Sequence, residues 1–494
     1  MWRSVRLLVA SLPLAACATF GATARSYVTA PDGLLMDDAR VRMLLASDRP
    51  GDALKAVRDR HSHLSPDDEL LRTLYEATAA RYAGEPRIAG QLFDRAFALS
   101  EDRFTKSVTR TAVSLLTNDL ALPYTAGWSE RLLLHYNALL AWSEAGDRDA
   151  AAVEARRLVA LLGRIAPPEA DERPVRALLH TVAAAAFLQA GEREDARVAL
   201  RNAAALGAPV DTLAPPVRGD SGEVWVAVER GFVAHKVAVG LTLPIFANDQ
   251  ANTWGDGLAP RGVTDRFLLN FAGLKNGGVW WDDVPSWRFG GNPYWIGTSR
   301  VAYVLDMSWP VLRRARPVSA ALVQPVAAPA VEPALAADLS AAIAGDYRRD
   351  RGAIMGRTLA RAVAKYVAAE AAEQAAKAAA RDRKKKDKKD DDDWGWRILG
   401  SVVGGLANGA AMYLERADTR AWSLLPGEVQ LVRVRLPAGT RDVALRVGDV
   451  PVTLPQVAVR PGGVTIAGVR LWRERGMPPG AMVAGSPMAG VAAP

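Results

Sequence analysis

Four Gly-x4-Ala pairs, Gly51 with Ala56, Gly84 with Ala89, Gly146 with Ala151 and Gly191 with Ala196, punctuate residues 34–206. Between them apolar residues recur at helical spacing, with no strand alternation. A glycine between two helical runs takes the turn conformation without a Cβ penalty, and a following alanine lets the second helix approach the first closely. The pattern predicts stacked helical hairpins, an all-α domain over 34–208. The chain has 494 residues, half of them apolar and 23% charged, which leaves both room and core material for further domains.

Three prolines within 209–220 end the helical pattern, and the period changes. Residues 223–229 and 236–243 alternate with β-branched side chains and predict a hairpin joined through 230–235, the start of a β-rich domain over 221–315 with Gly-, Asn- and Trp-rich loops. From Ala334 the spacing is helical again, and 364–380 holds ten alanines in seventeen residues, a strong helix former. Residues 381–393 carry seven basic and six acidic side chains with nothing apolar, which predicts a solvated loop. Residues 394–415, with Gly400-x3-Gly404 and Gly405-x3-Gly409, then return as a second helix. A long antiparallel helical hairpin over 334–425, inserted in the β-rich part, is expected. Alternation resumes over 428–436, 441–447, 457–460 and 464–472, a small β-unit at 426–475, before a disordered tail at 476–494. The fold class expected is α+β: an N-terminal helical-repeat solenoid, then a β-rich domain.

Residues 1–17 have the form of an export signal, with Arg3 and Arg6, an apolar run over 7–16, and Leu14-Ala15-Ala16-Cys17 at its end. The run is shorter than the ~20 residues that span a bilayer. Its last four residues resemble the lipobox of bacterial lipoproteins. That resemblance implies cleavage before Cys17, acylation of Cys17, and a tether over 18–33. Each buried CH₂ contributes ~0.8 kcal/mol, so several acyl chains would hold the protein stably on a lipid bilayer. Ala18, where an aspartate would retain such a protein at the inner membrane, implies the periplasmic face of the outer membrane. Cys17 is the one cysteine, which excludes intramolecular disulfides and cysteine-rich zinc sites. Without Arg3 and Arg6 the basic count falls from 62 to 60 against 54 acids, a mature charge of +6. That mild excess on an exported chain does not point to nucleic acid.

Residues 74–99 and 132–158 resemble tetratricopeptide repeats, the first through Ala77, Gly84, Ala89, Phe93 and Ala96. The order of several short motifs resembles an uncharacterised bacterial lipoprotein family with tetratricopeptide-like repeats in the N-terminal half. These motifs are Val153-Glu154-Ala155-Arg156-Arg157; Gly222-Glu223-Val224 leading to Glu229, Gly231 and Lys236; Arg357-Thr358 leading to Arg361 and Lys365; and Ala417-Asp418-x-Arg420-x-Trp422 leading to Leu425-Pro426. The resemblance implies architecture and location, because the family has no established reaction.

Glu154, Arg156 and Arg157 fall on the second helix of a repeat and are candidate contacts for a partner's extended peptide, or a solvated face. Arg357, Arg361 and Lys365 recur every four residues and form one basic stripe, either a site for an anionic partner or a face paired with acids such as Glu229 or Asp418. Trp280, Trp281, Trp287 and Trp295 are a candidate aromatic surface for stacking on a sugar such as those of peptidoglycan, or a packed loop core. Residues 394–414 carry one charge, Arg397, and read as a membrane helix or as a buried partner of the Ala-rich helix.

No Gly-x-Ser-x-Gly, Walker-type loop or His-Glu-x-x-His occurs, and His61-x-His63 alone is too little for a metal site. No catalytic residue, metal or cofactor is expected. The sequence reads as a non-catalytic outer-membrane scaffold that binds an envelope protein through its helical repeats. A glycan-binding module or hydrolase built on the tryptophans, and a regulator of cell-wall synthesis, are the alternatives.

Overall fold

The computed structural model describes residues 33–60, 66–114, 122–210, 219–246, 301–314, 323–326, 335–386, 417–448 and 450–472, with Ala30 and short pieces at 254–255, 259–260 and 482–483. The N-terminal half is helical: α1 (Met36–Ala46), α2 (Pro50–Arg60), α3 (Glu69–Tyr82), α4 (Pro86–Ser114), α5 (Trp128–Glu144), α6 (Arg148–Leu162), α7 (Arg173–Ala190) and α8 (Arg193–Ala205). Each helix packs on the next. Gly84, Gly146 and Gly191 make the tight turns with φ of 80°, 80° and 88°. The N–H groups of Glu85, Asp147 and Glu192 tie those turns back to the carbonyls of Ala80, Trp142 and Phe187. Ala89, Ala151 and Ala196, the alanines of the same pairs, are fully buried.

The first pair is out of frame. Gly51 lies inside α2, and the left-handed residue is Asp48, φ 58°, with Ala53 five residues on in the core. Aspartate enters this conformation more readily than most residues with a Cβ, so a search for glycines passes over the turn.

α3, α5 and α7 are buried almost all round, α5 at every position from Ser129 to Ser143. The even-numbered helices bury one side only, as α6 shows with Val153, Arg156 and Ala160 exposed. A helix buried on every side lies between two layers. Here the second layer is a five-stranded sheet in the order β12-β11-β1-β8-β7, of which β1 (Ser221–Arg230) is the centre. β1 runs parallel to β11 (Val464–Leu471) and antiparallel to β8 (Glu428–Pro437), while β7 (Leu335–Asp338) and β12 (Met482–Val483) close the edges.

Strand alternation sorts the sheet's two faces. Trp225, Ala227, Leu431 and Ile466 join the helical core, and Val224, Val226, Val228 and Val434 join a second core. That second core is shared with a three-stranded sheet, β10-β9-β6, made of β10 (Val450–Val459), β9 (Gly439–Val447) and β6 (Val323–Pro325). β2 (His235–Phe246) and β5 (Val301–Arg313) form a separate antiparallel ribbon, against which the long helix α9 (Leu339–Lys386) packs. β3 (Trp254–Gly255) and β4 (Ala259–Pro260) pair only with each other.

Four expectations are corrected. β1 and β2 are not a hairpin: both edges of β1 are taken, by β8 and β11, and the chain turns away at Gly231, φ 56°. The strands over 426–475 do not stand apart from β1, because β8 and β11 flank it in one sheet. The helix expected from Ala334 starts at Leu339 after β7, and Arg381–Lys386 are its last turns rather than part of a loop. Its expected partner arm, 394–415, lies outside the described residues, and 417–425 are not helical. Within the tail expected to be disordered, Met482 and Val483 pair with β11.

Candidate functional site

The densest polar cluster lies between the two layers. Arg81, at the end of α3 in an otherwise apolar run, is fully buried and spreads its guanidinium between two carboxylates. It donates to Glu144 of α5 at 2.8 and 3.0 Å and to both oxygens of Glu229 of β1 at 3.1 Å. Tyr136 and Tyr82 donate to the same Glu229 carboxylate at 3.1 and 3.3 Å, and Asn137 Oδ1 accepts from Arg81 at 3.2 Å. Burial pushes the Glu144 carboxyl up, partly offset by Arg81, and pushes both phenols up so that they remain neutral donors. Gly468 of β11 leaves the space: a Cβ there would stand 2.5 Å from Glu144 and 2.7 Å from Arg81.

Arg470 sits opposite Glu229 in the β1–β11 register. Its guanidinium lies 4.2 Å from the Trp472 ring, 5.2 Å from Phe232 and 5.5 Å from Tyr82, and it donates to the carbonyl of Gly231. Its Nε and Nη1 have no hydrogen-bond partner, so the aromatic faces are its main compensation. Both carboxylates of this seam are occupied by donors. Glu229 of the sheet is engaged by Arg81, Tyr82 and Tyr136 of the helical layer, while Glu144 holds Arg81 from within that layer, an arrangement that fixes how helices and sheet sit together.

A second set of polar contacts seats residues 417–425 on α3 and α5. Arg420 is held by Asp418 at 2.8 Å, Asp68 at 2.9 Å and the Leu122 carbonyl at 2.9 Å. Burial alone would raise the Asp418 carboxyl; the Arg420 charge and hydrogen bonds, together with the Lys236 charge, outweigh it and hold the group below its usual range. The Trp422 indole donates to Thr78 Oγ1 and its backbone N–H to Glu130, each at 3.0 Å, and Ser423 Oγ meets the Tyr75 hydroxyl at 2.7 Å. At the base of α9, Arg349 bridges Glu172 and Asp346 at 2.8–3.1 Å, and Asp346 accepts from the Ser129 N–H at 2.6 Å.

The sequence-predicted residues fall differently. Glu154 is buried, with one oxygen 2.7 Å from His135 Nδ1 and the other on Arg157, so it is not a partner contact; its neighbours Ala151, Ala155 and Leu158 turn that side of α6 inward. Arg157 also reaches Asp94 of α4 and lies 4.6 Å from the Phe97 ring, and Arg156, half exposed, pairs with Glu192 at the start of α8. Arg361 is buried as well, donating to Thr358 at 3.4 Å on the side of α9 that carries Met355 and Ala362 into the core. Arg357 on the same helix is half-buried, and the Lys365 side chain lies outside the description. Glu229 and Asp418 serve Arg81 and Arg420 instead of this stripe. Cys17, Trp280, Trp281, Trp287, Trp295, His61 and His63 lie outside the described residues. Among the described residues no helix is long and apolar enough to cross a membrane, and no group of three His, Cys, Asp or Glu side chains converges to hold a metal.

His180 on α7 is buried, its Nδ1 has no partner, and burial with the nearby Arg176 pushes its pKa down from 6.5 to about 4. The unfolded chain therefore binds the proton first as pH falls. Stability should drop between pH 6.5 and about 4, by at most about 3 kcal/mol from this group, with nothing lost above 6.5. Urea midpoints measured across that window should slope less in His180→Leu than in the parent chain.

No protein-family model matches this chain, and no curated protein matches it either. Among solved structures, one described as MamA MSR-1 C2 aligns with 34% of this chain and 94% of that chain, at 17% identity and a TM-score of 0.15. A likeness at that score carries no argument about fold, partner or activity.

Proposed function

We propose that this chain is a non-catalytic adaptor, anchored through Cys17 at the periplasmic face of a bacterial outer membrane, that binds an envelope protein. Its partner surface is the outer row of a tetratricopeptide-like layer, helices α4, α6 and α8. One observation carries the reading: the inner helices α3, α5 and α7, which in an open repeat array would line the concave binding surface, are covered by β1, β11 and residues 417–425. A partner segment has no access there. On the outer row, Val153 and Val198 each follow a hairpin glycine by seven residues, both are exposed, and the Arg156–Glu192 pair links their helices.

Crosslinking in intact envelopes followed by pull-down tests this. Wild type should fractionate with the outer membrane and retain specific partner bands; Cys17→Ser should lose acylation and membrane fractionation. Val153→Asp with Arg156→Ala should lose the bands while lowering stability by no more than about 1 kcal/mol, the most that an exposed ion pair such as Arg156–Glu192 contributes. Bands that survive this double change would remove the outer row from the proposal. Sedimentation with purified cell-wall sacculi that is abolished in Trp281→Ala, Trp287→Ala would replace the adaptor with the glycan reading.

A further inference from the structure

The three outer helices carry one surface pattern, counted from their turn glycines Gly84, Gly146 and Gly191. Three and ten residues on stand exposed charges of opposite sign: Arg87 with Asp94 on α4, Asp149 with Arg156 on α6, and Glu194 with Arg201 on α8. Seven residues on, between the charges, are Gln91, Val153 and Val198, and fourteen on are Ala98, Ala160 and Ala205, all exposed. The core positions of the same helices do not repeat. Nine residues on are Phe93, Ala155 and Leu200, and twelve on are Ala96, Leu158 and Ala203, all buried. Packing constrains buried positions more tightly than solvated ones, so a mere duplication would repeat inside first. Here the solvated face repeats and the packing does not, which ties the pattern to something outside the fold.

Each stripe is symmetric about its central residue. Gly146 and Ala160 lie seven residues to either side of Val153, and Asp149 and Arg156 lie four before and three after it. Laid against a reversed copy of itself, the stripe sets acid on arginine, valine on valine and alanine on glycine. On α4 the order of the charges is inverted, yet the opposition across Gln91 is kept. These charges do not serve one another within a helix, because residues seven apart stand about 10 Å from each other along it. On the reading that the outer row is the docking surface, we propose that its occupant is a second copy of this chain, turned about a two-fold axis that crosses α4, α6 and α8 at Gln91, Val153 and Val198.

A two-fold interface is self-complementary: where residue i meets j, j meets i. The three turns lie at one end of the stacked hairpins, and each outer helix starts two residues after its glycine, at Pro86, Arg148 and Arg193. Their central residues are therefore level, and one axis serves all three. It makes each of the three cation–carboxylate pairs twice, brings Val153 and Val198 onto their own copies, and lays each turn glycine over an alanine, where small residues let helix ends close. Asp94, Arg156 and Glu194 also reach Arg157, Glu192 and Arg197 of their own chain, whereas Arg87, Asp149 and Arg201 have no ion pair among the described residues. Every cross pair thus gives a partner to a charge that lacks one. α2 lacks the pattern, since Gly51 and Arg58 hold its charge positions counted from Asp48. Three helices about 10 Å apart, each in contact over about 21 Å, make a patch of about 600 Å² a side, the lower end for specific complexes. Exposed ion pairs add little affinity but reject wrong registers, so the dimer is reversible, with a Kd on the order of 10–100 μM.

Sedimentation equilibrium of the purified full chain carrying Cys17→Ser tests this with no other protein present. The parent should form a reversible dimer. Glu194→Arg and Arg201→Glu should each weaken it at least about tenfold, by setting like charges against each other across the axis. Mixed in equal amounts, the two variants should associate within about threefold of the parent, because each supplies the charge that the other lacks. Val153→Cys, on the axis, should give disulfide-linked dimers under mild oxidation. Ala160→Cys, about 21 Å from its own copy, should give at least about tenfold fewer. All four positions are exposed, and matched urea midpoints confirm that the variants fold. A parent that stays monomeric at about 300 μM, a mixture no tighter than either variant alone, or equal disulfide yields from Val153→Cys and Ala160→Cys would each overturn the second copy. In that event, envelope crosslinks still lost in Val153→Asp, Arg156→Ala would leave the outer row occupied by another protein, and crosslinks that survive would remove the docking surface as well.

Discussion

Arg81→Met should lower the stability of the folded chain by about 3–5 kcal/mol, the cost of removing one partner from a buried charge cluster. The substitution keeps most of the side-chain volume and deletes only the guanidinium. It leaves Glu144 and Glu229, both buried, with no cation between them, while Tyr82 and Tyr136 still point hydroxyls at Glu229. A carboxylate stranded in this way favours its protonated form, so the Glu144 carboxyl, already pushed up by burial, rises further above its unfolded value. A group whose folded pKa is raised gains stability as pH falls, so the deficit should be largest near neutral pH and shrink toward about pH 5. Urea midpoints at the two pH values measure it. Adding Glu144→Gln and Glu229→Gln should recover much of the loss, since neutral amides do not need the cation. A single Arg81→Met variant with an unchanged midpoint would show that the seam does not hold the two layers together.

The helical half is legible in the sequence because its signals are local. Gly84, Gly146 and Gly191 each sit within a few residues of the helix ends they define, and the alanines five residues later report helix contact directly. The sheet is less legible because alternation tells which face a residue takes and not which strand lies beside it. Residues 223–229 alternate as cleanly as any in the chain, yet their partners are more than 190 residues away, at 428–437 and 464–471. The neighbour in sequence, β2, pairs with β5 instead.

The seam between the layers had one readable sign. Glu229 shares a face with Trp225 and Ala227 in an alternating strand, so a carboxylate on the buried side asks for a cation. Nothing local says that the cation is Arg81, 148 positions earlier. The four-residue spacing of Arg357, Arg361 and Lys365 is a true helical stripe, but spacing alone does not say whether a stripe faces solvent or core. Arg361 faces the core. Glu154 misleads for the same reason, since its flanking Arg156 and Arg157 suggest a polar surface while its own position follows Ala151 into the bundle.

Trp422→Ala is expected to cost about 3–5 kcal/mol, the usual range for deleting a large buried aromatic. The indole is 1% exposed, lies 6.1 Å from the Phe93 ring, and donates to Thr78, whose hydroxyl also bonds back to the Leu74 carbonyl. Truncation therefore empties a space between α3 and α4 and weakens the adjoining contacts of Arg420 with Asp68 and of Ser423 with Tyr75. Trp422→Phe separates the two contributions: it restores most of the packing and loses only the indole hydrogen bond, about 1 kcal/mol. Limited proteolysis supplies the second readout. If residues 417–425 are the contact that keeps the inner helix face closed, cleavage within them should accelerate in Trp422→Ala well before global unfolding, and in Trp422→Phe hardly at all. Equal resistance in all three proteins would mean that the β1–Arg81 seam alone keeps that face closed, and that the segment is bound on top of an already sealed interface.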